Sequence, residues 1–174
     1  IMGINLGGNF GMSNNDSIPV LNLQKNDILD LTKKNPGLKK VILGAGWDIS
    51  RNGADFDLDI AAFLLDSNNK FNTVSNVIFF NNPNGQGVTL SGDNRTGAGE
   101  GDDETINIDL DKIDSNIAKI VFVVTIHEAM AKRQTFGMIN NSYVRLVDLD
   151  QNGKELCRFN LKENGSTATS VIFA

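Results

Sequence analysis

The strongest constraint in this 174-residue chain is a period of two that recurs in short runs. Apolar residues alternate with polar ones, or form brief apolar stretches, over residues 28–31, 39–46, 57–65, 77–80, 88–90, 106–110, 119–127, 143–148, 155–161 and 169–173. Successive side chains of an extended backbone point to opposite faces, so each run is a strand with an apolar face to bury. Turn chemistry separates the runs: Asn35-Pro36-Gly37, Ser67-Asn68-Asn69, Asn81-Asn82-Pro83-Asn84-Gly85, Gln151-Asn152-Gly153 and Asn164-Gly165. Helical spacing is scarce, with one turn expected in 111–116 and another in 128–133. About ten short strands at this spacing predict an all-β fold, an antiparallel β-sandwich of two sheets with one or two short helical turns, and exclude a βαβ sheet. The stretch 120–124 is apolar on both faces and is expected at the centre of a sheet. Residues 1–20 show no sustained period and read as an N-terminal extension or irregular arm, so the sandwich domain is placed at 21–174.

Charge narrows the function. The formal net charge is −5, yet it is concentrated. Asp55, Asp57 and Asp59, with Asp93, Glu100, Asp102, Asp103 and Glu104, are opposed within their segments only by Arg95; these two segments carry −7 and the rest of the chain +2. A near-neutral protein with one acidic feature offers no basic patch for phosphate, so nucleic acid is not an expected partner. It offers no polybasic membrane anchor either. No apolar run approaches a membrane span of roughly 18 residues, and no signal peptide is expected, so direct membrane insertion is not anticipated. Cys157 is the only cysteine, which rules out an intrachain disulfide and makes a cytoplasmic location the expectation.

In Asp55-Phe56-Asp57-Leu58-Asp59-Ile60 the three aspartates share one strand face and the three apolar residues the other. Neighbouring carboxylates on such a face lie about 7 Å apart and repel more strongly as the local dielectric falls. The second segment, from Ser91 to Glu104, alternates Gly97, Gly99 and Gly101 among carboxylates, one carboxamide and one hydroxyl. Glycine lets such a loop turn tightly and aim backbone carbonyls inward. Oxygen donors without a neighbouring His or Cys suit a hard divalent cation such as calcium, with its six to eight oxygen ligands, and argue against zinc or copper. This reading requires the two segments to meet in space; otherwise each is a solvated acidic face. Familiar loops are excluded. An EF-hand counted from Asp55 has Ile60 at the glycine position, and one counted from Asp93 has Arg95 at the third position and Ala98 at the sixth. There is no Gly-Lys-Ser/Thr, and Asp102 replaces the third glycine of a dinucleotide fingerprint.

These residues resemble the TerD domain of tellurite-resistance and stress-response proteins. The likeness is carried by Asn35-Pro36-Gly37-Leu38-Lys39-Lys40, Gly46-Trp47-Asp48, Asp55-Phe56-Asp57-Leu58-Asp59 with Ala62-Phe63-Leu64-Leu65, and Gly92-Asp93-Asn94-Arg95-Thr96-Gly97 with Gly99-Glu100-Gly101-Asp102-Asp103-Glu104. It continues in Ile126-His127-Glu128-Ala129, Gln134-Thr135-Phe136-Gly137 and Tyr143-Val144-Arg145-Leu146, spanning about residues 21–173. The resemblance implies a non-catalytic β-sandwich that binds two calcium ions. The implied ligands are Asp55, Asp57, Asp93, Asn94, Glu100, Asp102, Asp103 and Glu104, with the carbonyls of Arg95 and Gly97 and the hydroxyl of Thr96; Asp48 and Asp59 are weaker candidates. It further implies that the bound metal orders the acidic loop for other stress-response proteins, membrane-associated ones included. The family usually continues past the last matched strand, which would leave a sheet edge exposed here.

Two other functions compete with this one. A metal-dependent hydrolase or phosphotransferase needs a general base, for which His127 is the conspicuous candidate, although a structural residue at a strand end is the expected role. A cyclic-nucleotide module needs an anion pocket away from the acids, for which Arg145 and Arg158 are available. Trp47 is expected in the core, bracing the metal-site strand, and Cys157 is expected to be inert. Arg95 is expected to form a local salt bridge.

Overall fold

The computed structural model describes residues 20–27, 37–48, 55–92 and 101–173. The arm 1–19, the expected strand 28–31 and residues 93–100 of the acidic loop lie outside them.

Among the described residues the strands are β1 (Leu21–Leu23), β2 (Lys40–Gly46), β3 (Leu58–Leu65), β4 (Val77–Ile78), β5 (Asn84–Gly85), β6 (Val88–Ser91), β7 (Glu104–Asp109), β8 (Lys119–Ile126), β9 (Tyr143–Asp148), β10 (Lys154–Asn160) and β11 (Ser170–Phe173). They form a seven-stranded sheet in the order β1-β10-β9-β2-β7-β6-β5 and a four-stranded sheet in the order β11-β8-β3-β4. Two one-turn helices, α1 (Ala129–Lys132) and α2 (Leu161–Asn164), sit in connections. The expected antiparallel sandwich is thus the fold, with one difference: β1 lies parallel to β10, Leu21 opposite Cys157 and Leu23 opposite Phe159. Three residues carry too little periodicity to announce such a strand.

Alternation builds the core. On β3, Leu58, Ile60, Ala62 and Leu64 are at most 1% exposed, and they meet Ile106 and Ile108 of β7 and Val124 and Ile126 of β8 between the sheets. β8 lies between β11 and β3, the interior position expected for the run 120–124. Phe159 of β10 meets Phe173 of β11 edge-to-face at 5.2 Å, closing one flank across the two sheets. The hairpin joining β9 to β10 turns at Asn152 and Gly153, φ 55° and 74°, left-handed conformations that Asn and Gly tolerate. β10 also carries a bulge. Glu155 pairs with Val147 and Cys157 with Leu146, so Leu156 is the extra residue.

Candidate metal site

Trp47 follows the last residue of β2 and is 3% exposed. Its backbone N–H donates to Asp103 Oδ2 at 2.9 Å, and its indole Nε1–H donates to the carbonyl oxygen of Phe56 at 3.0 Å. One residue, through its backbone and its side chain, therefore ties the end of the acidic loop to the peptide between Asp55 and Asp57. Glu104 makes a second tie. It begins β7, is 2% exposed, and its Oε2 accepts the N–H of Ile60 on β3 in the other sheet at 3.0 Å. The two acidic segments, remote in sequence, thus meet at one end of the sandwich. The expected bracing role of Trp47 is what its contacts provide.

The aspartate strand alternates as its sequence demands, with Phe56, Leu58 and Ile60 buried and Asp55, Asp57 and Asp59 outside the core. Its backbone is held from the residues that flank α1: Gln134 Nε2 donates to the carbonyl of Asp55 at 3.0 Å, and the N–H of His127 donates to the carbonyl of Asp57 at 2.7 Å. Gln134 is 7% exposed and its Oε1 is buried with no hydrogen-bond partner. His127 Nδ1 lies 3.2 Å from Asp59 Oδ2, just beyond the β3–β8 register pair Asp59–Thr125. His127 thus stands just past the end of β8 with Asp59 as its partner. Asp48 Oδ2 accepts from Asn141 Nδ2, and the Asp48 N–H donates to the carbonyl of Asn140. Burial pushes the Asp103 carboxyl above the usual aspartate value; Asp102 and Asp48 push the same way and the Trp47 N–H opposes them.

Asp102 lies apart from this group. Arg145 Nε donates to its Oδ1 at 2.8 Å and Nη2 to its Oδ2 at 3.0 Å. The Tyr143 hydroxyl lies 3.0 Å from Oδ1 and 2.9 Å from the carbonyl of Gly101, its one proton shared between them. Arg145 Nη1 continues to Glu155 Oε2 at 2.9 Å, and Glu155 takes a fork from Arg158 at 2.7 and 2.9 Å. The Arg158 guanidinium then covers the Tyr143 ring, 4.0 Å from its centroid, closing the circuit. Two arginines and two carboxylates cancel. The guanidinium hydrogen bonds, Arg158 first, hold the Glu155 carboxyl below its ordinary value, while burial and then Asp102 push the Tyr143 phenol up to about 12. Arg145 and Arg158 are therefore spent on carboxylates, not set around an anion pocket. Sequence reasoning did not connect Asp102 with Tyr143 and Arg145. The readable signal was Gly44 and Gly46, alternate glycines in a strand, which mark a close approach.

Of the expected ligands, Asp55, Asp57, Asp103 and Glu104 are brought to one end, Asp102 is turned to Arg145, and Asp93, Asn94, Arg95, Thr96, Gly97 and Glu100 lie outside the described residues. Among the described residues no three His, Cys, Asp or Glu side chains are grouped as a metal cage. The assembled donors are all oxygens, which suits a hard cation and not a soft one. No helix among the described residues is long and apolar enough to cross a membrane. Burial pushes the Cys157 thiol up to about 11, disfavouring the reactive thiolate.

Two packed sheets with a carboxylate-rich end define a β-sandwich domain whose acidic segments are gathered by a tryptophan. The chain belongs to the TerD-domain family, whose model matches residues 20–174. It is 47% identical over 156 residues to the tellurium resistance protein TerD of Serratia marcescens, covering 88% of this chain and 81% of that protein. It is also 47% identical to general stress protein 16U of Bacillus subtilis, covering 87% and 80%. A solved structure of a homologue of telluride resistance protein from Streptomyces coelicolor superposes with a TM-score of 0.61 at 23% identity, over 78% of this chain and 79% of that one, and supports the fold. These relatives carry the names of tellurium resistance and general stress proteins.

Proposed function

We propose that this domain is a non-catalytic calcium-binding module of the stress response and of tellurite resistance, working in the cytoplasm. Calcium orders the acidic glycine loop and so completes a surface for other stress-response proteins, membrane-associated ones included. The observation that carries the reading is the double link through Trp47, which holds Asp103 beside the Asp55–Asp57 peptide. Asp55, Asp57, Asp103 and Glu104, together with Asp93, Asn94, Glu100, the carbonyls of Arg95 and Gly97 and the Thr96 hydroxyl, are the proposed donors for two ions. Calcium would add positive charge among these carboxylates, and the chain's own part is to hold the donors and their strands in place. The buried, unpartnered Gln134 Oε1 beside the Asp55 carbonyl adds a further neutral oxygen at this end.

Calorimetric titration with calcium tests the reading. Two ions per chain are expected, with a rise in melting temperature that chelator reverses; at one hundred times the dissociation constant one site adds about 2.7 kcal/mol. No heat of binding, together with a melt that neither calcium nor chelator moves, refutes it.

A further inference from the structure

We propose that Asp102 is the anchor of the acidic loop and not a calcium ligand, and that Arg145 is a positioning residue that sets calcium affinity by holding it. The inference rests on the calcium reading above and concerns which carboxylates take part. Both Asp102 oxygens are taken, by the two-pronged fork of Arg145 and by the Tyr143 hydroxyl. The carboxylate lies directly over Gly44, where an added Cβ would fall 2.1 Å from Oδ2. Gly44 sits between Leu43 and Ala45, both buried in the core, so Asp102 occupies the outer face of the seven-stranded sheet. Glu104 reaches the opposite way, between the sheets, to the N–H of Ile60. The two carboxylates thus face opposite sides of the seven-stranded sheet.

The arrangement fixes where the loop ends. Tyr143 holds the Gly101 carbonyl, Arg145 holds the Asp102 side chain, and the Asp103 N–H donates to the Ala45 carbonyl at 2.8 Å. Three successive residues are thereby pinned, the last of them the proposed ligand Asp103, with Glu104 next in the chain. Carboxylates whose backbone is already fixed lose less conformational freedom when they take up a metal, which raises affinity without adding a ligand. Lysine at 145 keeps the charge but cannot form the fork.

The test is calcium calorimetry on the wild type, D102N, R145K and the double variant, with metal-free melts alongside. Each single substitution is expected to weaken calcium binding about tenfold with the number of ions unchanged. The double variant is expected to be no weaker than the weaker single, because the two residues act as one unit. Loss of an ion in D102N, or additive losses in the double variant, would make Asp102 a ligand and overturn the proposal. So would an R145K protein that melts earlier yet keeps its calcium affinity, the mark of a purely structural role. Y143F removes one hydroxyl and leaves the fork; its smaller expected loss keeps the test decisive where another variant fails to fold, and unchanged affinity there counts against the proposal. A wild type that takes up no calcium overturns the calcium reading itself, whereas unchanged affinity in R145K beside a calcium-binding wild type overturns only this inference.

Discussion

Replacing Gly44 by alanine would measure what the outer-face circuit contributes. In an ordinary strand alanine is favoured over glycine by about 0.5–1 kcal/mol, because glycine loses more backbone entropy on folding. Here the new methyl would stand 2.1 Å from Asp102 Oδ2 and 2.3 Å from Cγ, so the carboxylate must leave. Its departure breaks the fork from Arg145 and the contact from Tyr143. Hydrogen bonds to charged groups contribute about 1.5–3 kcal/mol; taken as one unit these are set at about 2–2.5 kcal/mol, because the Arg145 side chain keeps 28% of its exposure and can turn to water. The net expectation is a loss of about 1–2 kcal/mol, or ~2–8 °C in melting temperature for a domain of this size. Gly37 provides the control. An added Cβ there meets nothing among the described residues within 4 Å, so Gly37→Ala should leave the melt unchanged or raise it slightly through the unfolded state. Thermal melts of both variants without metal decide the matter. A Gly44→Ala protein as stable as the parent would refute the reasoning, since Asp102 would then hold nothing that the fold needs.

Trp47→Phe should cost about 2 kcal/mol, ~4–8 °C, because it leaves the buried Phe56 carbonyl without its donor; an unchanged melting temperature would show that the indole link is idle. Stability should also respond to acid through Glu155. Its folded-state pKa lies below the ordinary 4.5, so its contribution is full above that value and is lost as pH falls through the lowered one. The wild type should therefore shed stability below about pH 4.5 more steeply than Glu155→Gln, and parallel denaturation curves from pH 6 to pH 3 would contradict this.

Most of the architecture was legible because one period dominates it. The run 143–148 coincides with β9, and 57–65, 119–127 and 169–173 each extend only a residue beyond their strands. The separation of three aspartates from Phe56, Leu58 and Ile60 needed nothing beyond pleat geometry. What stayed hidden depends on partners far away in sequence. Asp102 and Glu104 look alike in an acidic run, yet one meets Arg145 and the other Ile60, and only the strand order β9-β2-β7 and the stacking of β3 decide which. The short α2 was invisible for a similar reason. Leu161 continues the apolar alternation of β10, but its N–H is drawn to the Ser142 carbonyl and Asn160 caps the turn through the Glu163 N–H.

The bulge at Leu156 sets the charge balance of a whole face. Arg145 and Arg158 stand directly opposite each other on neighbouring strands, a pairing of like charges that a sheet resists. In a regular strand, residues three apart face opposite ways, and Glu155 would point into the core. The bulge returns it to the side of the arginines, where it bonds to both. Pairing, not composition, makes the face neutral: the same residues without the bulge, all in regular alternation, would turn Glu155 into the core and leave Arg158 without its carboxylate. A designer moving the acidic loop to another sandwich would have to carry this irregularity along, although it lies more than fifty residues away in the chain.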